Sequence, residues 1–263
     1  MEFDLDSYPS IDYRTWVLGD EARKGANLRR LGLLNSDELR ILEKATPYLD
    51  ARNDPGHTEH ATYSVIRLLD YLPGNRKIAV PAEFIHDTGW YGQDPAAWKK
   101  FVDAVKSEYS NSNGILRSEK ICRPHQNKSL LIGGIILERA GYFDRNPAEY
   151  WLEIADIVGD HDTRSLPTTD SGRIVRAGDH LWRVSFPAME IYFPDLPLEQ
   201  ALIRMKEDTF QEPPFTLEGI ESDVGRLELA NTLVFKFGKD KAAKVLKERG
   251  YEKELERIVA FYK

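Results

Sequence analysis

The sequence contains a single cysteine, Cys122, among 263 residues. One cysteine excludes an intrachain disulfide framework, so we expect a reducing compartment. Uninterrupted apolar runs stay well below the ~18 residues that a membrane-spanning helix requires. The N-terminal stretch MEFDLDSYPS is acidic and lacks the apolar segment of a secretory signal. We therefore expect a cytoplasmic protein that does not insert into a membrane.

Basic residues are also in deficit, with 36 lysines and arginines against 43 aspartates and glutamates and a formal net charge of −7. A nucleic-acid polymer requires a basic surface, so this balance argues against such a partner. Small anionic substrates remain compatible, because the local field in a cleft outweighs the net charge. The sequence leaves a homodimer open.

Strand-like alternation is scarce, and we find no repeats or low-complexity tracts, whereas apolar residues recur at helical spacing. The pattern predicts an all-α protein. Gly141 is expected to end one helix, and Asn146-Pro147 to cap and begin the next. The best break in the chain is QEPPFT at 211–216. The predicted helices, with ends uncertain by ~2–4 residues, are 36–50, 57–72, 81–88, 95–109, 126–140, 147–161, 171–185, 198–210, 217–237, 239–249 and 252–262.

Histidine is scarce as well, with six in the chain, and their positions on the predicted helices are informative. At ~100° per residue, His57 lies roughly 60° from the centre of its apolar stripe and His60 roughly 120°. His57 therefore faces inward, and His60 is interpreted as a boundary residue. His125 and His161 each share an apolar face at helical spacing.

Two aspartates occur where a lone carboxylate would be costly. The adjacent pair His86-Asp87 follows an apolar segment, and Asp179 lies on an apolar stripe. An ionised carboxylate away from water needs a partner, and imidazole with carboxylate suits Zn²⁺, Mn²⁺ or Fe²⁺. A single metal cluster accounts for six residues together: His57, His86, Asp87, His125, His161 and Asp179.

The order of these residues resembles the HD-domain superfamily of metal-dependent phosphohydrolases, named after its adjacent His-Asp pair. The resemblance covers about residues 50–190, through the segments RNDPGHTEH, AEFIHDTGW, RPHQNKS, VGDHDTRS and VRAGDHLWR. It implies a single HD-type helical domain over 1–263, in which 1–49 and 191–263 are helical extensions packed on the core. The intermediate histidines resemble those of the binuclear branch.

The resemblance also implies two divalent metal ions, with iron or manganese expected and zinc, cobalt, nickel or magnesium as alternatives. Asp87 would bridge the two ions. The first ion would be bound by His57, His86, Asp87 and Asp179, and the second by His125 and His161. The sequence departs from many members at Trp90, which follows Gly89, and at His60, where many members have basic residues.

The leading hypothesis is hydrolysis of a phosphoester of a small molecule or nucleotide by a metal-bridging hydroxide. Asp87 would take part through the metals, and Asp162 would orient a water or protonate the leaving group, unless it is simply an exposed carboxylate at a helix end. The alternative for each candidate substrate-binding residue is an ordinary structural role, as a surface charge for the basic residues and in core packing for the tryptophan. The candidates, with the two favoured ones first, are Lys128, Arg183, Arg164, Arg123 and Trp90.

Two other functions remain open. Some proteins of the HD fold with the same ligand set are mixed-valent diiron oxygenases that cleave organophosphonates or oxidise inositol, and the ligands alone do not separate the classes. We favour hydrolysis because it is more abundant in the family, which is an analogy. A non-catalytic nucleotide-binding module is the third hypothesis. In the C-terminal region, Glu221 or Glu228 could reach the site.

Overall fold

The computed structural model describes residues 5–51, 54–92, 122–163, 167–209 and 220–263, with side chains described for all of these except 204–209 and 220–221. Within these ranges the chain is all-α, as the sequence predicts. Three 3₁₀ turns occur at Leu5–Ser7, Thr46–Tyr48 and Thr88–Trp90. The described α-helices are α1 (Asp20–Arg23), α2 (Ala26–Arg30), α3 (Ser36–Ala45), α4 (His57–Leu69), α5 (Arg76–Ile85), α6 (Arg123–Arg139), α7 (Ala148–Asp160), α8 (Asp170–Trp182), α9 (Phe186–Tyr192), α10 (Leu198–Thr209), α11 (Ile220–Phe237), α12 (Lys239–Glu248) and α13 (Glu252–Phe261).

Helices α4 and α8 form the most extensive helix pair in the described ranges. Gly178 permits their close approach, because a Cβ at this position would lie 2.6 Å from Val65 Cγ2 and 2.9 Å from the carbonyl oxygen of Ala61. Asp179 follows Gly178 directly. The glycine contact therefore sets the Asp179 carboxylate against His57, the first residue of α4.

A second close contact fixes the turn after α5 on helix α6. A Cβ at Gly89 would lie 1.9 Å from the carbonyl oxygen of His125, so only glycine fits here. The backbone N–H of Gly89 donates to Ser129 Oγ at 2.8 Å. Since Asp87 lies two residues before Gly89, this contact brings the carboxylate next to the first turn of α6, where His125 lies.

Helix α5 begins earlier than the predicted 81–88, at a cap in which the side chain of Asn75 accepts from the backbone N–H of Lys77. Pro81 thus lies inside the helix and not at its start. Proline has no N–H for the carbonyl four residues earlier, which is that of Lys77. The hydroxyl of Tyr142 donates to this carbonyl at 2.7 Å. A partner distant in sequence therefore offsets the lost bond, which the local pattern does not show.

Other helix ends agree in part with the predictions. Gly141 follows α6 with a positive φ of 68°, as expected for a helix stop. Pro147 is the cap residue of α7 and not its first residue, while the side chain of Asn146 donates to the carbonyl of Tyr142. The short helices α1, α2 and α9 were not predicted. The predicted helix at 95–109 and the break at 211–216 lie outside the described residues.

The C-terminal helices α11, α12 and α13 pack on one another, and α11 also contacts α8 and α9. The N-terminal segment is bound to them by hydrogen bonds from Asn231 to the carbonyl of Ile11 at 2.9 Å and from Arg257 to the carbonyls of Leu5 and Tyr8. Among the described residues, every helix is too short or too polar to cross a membrane.

Candidate metal centre

Asp87 lies at the centre of the candidate site, in the turn that follows α5. One carboxylate oxygen, Oδ2, lies 3.5 Å from His57 Nδ1 and 3.7 Å from His86 Nε2. The other, Oδ1, lies 3.5 Å from His125 Nε2 and 3.4 Å from His161 Nε2. The two oxygens thus face two different pairs of histidines, which is the arrangement that a bridging carboxylate requires.

Asp179 joins the first pair of histidines. Its Oδ1 lies 2.9 Å from His57 Nε2 and 3.8 Å from His86 Nε2. The donor atoms of His57, His86 and Asp87 lie within 4.8 Å of one another, a spacing that could hold a metal ion. The structure therefore brings His57, His86 and Asp87 together, while Asp179 contacts the other ring nitrogen of His57 from the one that faces Asp87.

Asp162 joins the second pair. The Nε2 atoms of His125 and His161 face each other at 3.2 Å. Asp162 Oδ2 lies 3.2 Å from the first of these atoms and 3.6 Å from the second. The donor atoms of Asp87, His125 and His161 form a second group that could hold a metal ion. Asp162 is therefore a neighbour of these donors and not an exposed carboxylate at a helix end.

The protonation pattern of the histidines fits metal binding. His86 Nδ1 lies 2.7 Å from the carbonyl oxygen of Glu83, and His161 Nδ1 lies 2.8 Å from that of Val158. A carbonyl only accepts, so each Nδ1 carries the proton, and each Nε2 presents a lone pair to the cluster in the neutral ring. His86 Nε2 is buried and has no hydrogen-bond partner. A cation in the cluster would satisfy this nitrogen.

Burial and the neighbouring charged groups shift the pKa values of the site residues in opposite directions. Burial lowers the pKa of His86, but the carboxylates of Glu83 and Asp87 outweigh burial and raise this pKa well above its ordinary value. Burial raises the pKa of Asp179, but the hydrogen bond from His57 and the nearby imidazole of His86 bring it well below its ordinary value. Without a cation, His57, His86 and His161 therefore favour their protonated forms beside the carboxylates, and metal binding must displace these protons.

Two further residues contact the cluster, and the sequence predicted neither contact. Glu83 is fully buried, its Oε1 lies 3.3 Å from His86 Nδ1, and neither carboxyl oxygen has a hydrogen-bond partner. Trp90 donates from Nε1 to Asp87 Oδ1 at 3.0 Å and stacks on His125 with ring centroids 4.1 Å apart. Glu83 precedes His86 by three residues, a helical spacing that could have indicated this contact.

The candidate substrate-binding residues have different environments. Lys128 donates to the carbonyl oxygen of Tyr91, Arg123 is exposed at the start of α6, and Arg183 is half-buried. Trp90 is only 4% exposed, so it packs inside the site and does not form an open wall. Arg164 lies outside the described residues.

His60 and His180, the histidines outside the predicted ligand set, are both buried. His60 is fully buried, and the prediction of a boundary position is wrong. The rings of Trp16 and Trp182 pack against it, and Glu228 approaches it from the C-terminal region. Glu228 thus reaches His60, with its Oε1 3.7 Å from His60 Nε2. The side chain of Glu221 is not among the side chains that the structure describes. Burial lowers the pKa of His180 to about 3.

No protein-family model matches the chain, and comparisons with curated proteins and with solved structures found no match either. The HD-domain resemblance therefore rests on the ordered residues of the sequence. Independently of any family, the buried group formed by His57, His86, Asp87, His125 and His161 could hold metal ions.

Proposed function

We propose that this protein is a metal-dependent phosphohydrolase of the HD-domain type that acts on a phosphoester of a small molecule. The observation that carries the proposal is the position of Asp87, whose two oxygens face separate histidine pairs at 3.4–3.7 Å. Two neighbouring donor groups that share one carboxylate suit two cations a few ångströms apart, as in many enzymes that hydrolyse phosphoesters.

The two donor groups support the part of the ligand assignment that concerns His57, His86 and Asp87, and Asp87, His125 and His161. His57, His86, Asp87 and Asp179 would hold the first divalent ion, and Asp87, His125 and His161 the second. Iron and manganese accept this mixture of imidazole and carboxylate. When bound, such ions supply Lewis acidity towards phosphoryl oxygens and lower the pKa of water at the site.

Asp162 is our candidate for proton transfer at this site. Burial raises its pKa, but His161 and His125 outweigh burial and hold this pKa well below its ordinary value. Asp162 Oδ2 lies 3.2 Å from His125 Nε2 and 3.6 Å from His161 Nε2, next to the second donor group. From this position Asp162 would orient the attacking water or protonate the leaving group.

The sequence also left a diiron oxygenase open, and the same donors would serve it. The test begins with the full-length protein stripped of metal and reloaded anaerobically with manganese, iron or zinc. Phosphate release from a panel of small phosphomonoesters is measured for each metal, and oxygen uptake is measured for the iron-loaded sample. Metal-dependent phosphate release without oxygen supports the proposal, and oxygen-dependent turnover with iron alone overturns it in favour of the oxygenase.

A matched pair of variants assigns the activity to this site. Asp87→Asn is expected to lower phosphate release at least 100-fold, because the amide cannot bridge two cations as a carboxylate does. Asp144→Asn removes an exposed carboxylate after α6 and is expected to leave activity unchanged. Equal activity in Asp87→Asn and wild type would show that the measured hydrolysis arises elsewhere.

A further inference from the structure

The outer face of α6 exposes large apolar side chains. This face consists of Asn127, Leu131, Ile135 and Glu138, which follow one another at intervals of three or four residues and are all exposed. Leu131 is 72% exposed, more than any other large hydrophobic residue of the described chain. The opposite side of the helix, which includes Ile136, is buried in the core. The apolar side chains of the outer face therefore do not serve the core of this chain.

Helix α6 is apolar around its whole circumference at the level of this face. Residues 130–137, LLIGGIIL, contain no polar side chain. A surface helix normally carries polar residues on its outer side, whereas a helix that is apolar all round is buried. The outer face of α6 thus has the composition of a covered surface, although it is exposed among the residues that the structure describes.

Helix α7 extends the apolar surface. An added Cβ at Gly134 would lie 3.7 Å from the ring of Trp151, so this ring lies beside the outer face. Leu152 follows Trp151 directly and is 67% exposed. Phe143 is exposed in the segment before α7, and its ring packs edge-on against Trp151 with centroids 5.7 Å apart. Neighbouring exposed apolar side chains of this kind mark an interaction surface.

The charges at the two ends of the outer face fit a reversed copy of it. Lys128 lies three residues before Leu131, and Glu138 lies three residues after Ile135. In a two-fold pair each contact occurs twice with the roles exchanged. A second α6 that runs antiparallel, with the axis midway between Leu131 and Ile135, would set each leucine against the isoleucine of the other copy. The same axis sets each Lys128 against the other copy's Glu138. The Lys128 ammonium donates to the carbonyl of Tyr91, and its three N–H donors leave others for a carboxylate.

We propose that the outer face of α6 binds the same face of a second copy of this chain, in a two-fold dimer with antiparallel α6 helices. An apolar centre between two opposite charges is its own complement when reversed, and the charge pairs fix the register. Trp151 and Leu152 would pack beside the helix pair and enlarge the apolar interface. His125 is buried on the core side of α6, so the dimer and the candidate metal centre use different sides of this helix. The dimer is therefore independent of the proposed function.

Sedimentation velocity of the full-length protein over a wide range of concentrations tests the dimer. We expect twice the mass of one chain. Leu131→Glu should raise the dissociation constant of the dimer at least about 30-fold, because it places a carboxylate in an apolar interface. Ile203→Glu changes an exposed isoleucine on α10 and should keep the wild-type constant. If circular dichroism shows that Leu131→Glu does not fold, Ile135→Gln takes its place.

A charge exchange tests the antiparallel arrangement. Lys128→Glu and Glu138→Lys should each raise the dissociation constant about 5-fold, since like charges then face each other. The double variant should recover most of the wild-type affinity. A wild-type protein that stays monomeric at every concentration overturns the proposal, as does a dimer that Leu131→Glu leaves intact. A double variant that dimerises no better than the single variants overturns the antiparallel pairing.

Discussion

Trp90 holds Asp87 and His125 at the same time. Its indole N–H donates to Asp87 Oδ1 at 3.0 Å, and its ring stacks on His125 at an interplanar angle of 19°. Asp87 Oδ1 is the oxygen that faces the second histidine pair. A tryptophan that directly follows Gly89 thus orients both the shared carboxylate and one proposed ligand of the second metal.

Replacement of Trp90 by phenylalanine should weaken the second metal site selectively. Phenylalanine keeps an aromatic face for His125 but has no N–H for Asp87. Loss of such a hydrogen bond to a ligand typically costs 10–100-fold in metal affinity. We expect the affinity of the second site for its metal ion to fall about 10-fold, as measured by competition with a chromophoric chelator. Trp151→Phe, away from the centre, is the control, and equal affinities in the two variants would contradict this role.

Glu83 should support the first metal site. Burial of a carboxyl group without hydrogen bonds is costly, and its nearest described partner is the Nδ1–H of His86 at 3.3 Å. A carboxylate behind a ligand imidazole fixes the ring and increases its basicity. Glu83→Gln keeps the volume and removes the charge. We expect Glu83→Gln to lower the affinity of the first site for its metal ion by about 10-fold or more. An unchanged chelator titration in this variant would exclude the effect.

The sequence predicted the ligand types better than their supporting contacts. Helical spacing and the cost of a lone carboxylate were sufficient to select Asp87 and Asp179, and the structure brings both close to histidines. Glu83 was overlooked because a glutamate on a helix resembles a surface charge until its burial is known. Its spacing of three residues from His86 was the available signal.

The all-α class followed from periodicity, because apolar residues repeat at helical spacing along most of the chain. The start of α5 could not be predicted, since Pro81 is usually a sign of a helix start. Only the hydroxyl of Tyr142, which reaches the Lys77 carbonyl from a distant part of the chain, explains why this proline is tolerated inside the helix. The burial of His60 likewise depends on Glu228 of the C-terminal region.

The contact between α4 and α8 should depend on Gly178. An added Cβ would lie 2.6 Å from Val65 Cγ2 and 2.9 Å from a backbone oxygen, so α8 must shift. We expect Gly178→Ala to lower the free energy of unfolding by about 1–3 kcal/mol, as for other overpacked sites. It should also weaken metal binding, because Asp179 is the next residue.

Gly134→Ala is a matched control for this substitution. Its added Cβ would meet Trp151 of α7 at 3.7 Å, an ordinary van der Waals contact. Alanine is the better helix former, so this variant should be neutral or more stable by up to about 1 kcal/mol. Urea unfolding of both variants measures the difference, and equal stabilities would contradict the role assigned to Gly178.

The stability of the metal-free protein should fall as the pH rises from about 5 to 7. Burial raises the pKa of Glu59 from 4.5 to about 7, and burial together with Asp54 raises that of Asp50 from 3.8 to about 6. A raised pKa means that the folded state favours the protonated form. The resulting stability is fully present below the unfolded pKa and is lost as the pH rises through the folded pKa.

Urea unfolding in the presence of a chelator, at intervals from pH 5 to 8, measures this loss. One group in its titration range changes the free energy of unfolding by up to about 1.4 kcal/mol per pH unit. Glu59→Gln removes one such group while an amide oxygen remains to accept from Asn27, so the slope should decrease by about 1 kcal/mol per unit near pH 6. Glu43→Gln, which removes an exposed carboxylate, should keep the wild-type slope. Because the ligand histidines must be neutral to bind a metal, metal affinity should rise as the pH increases to at least about 6.5.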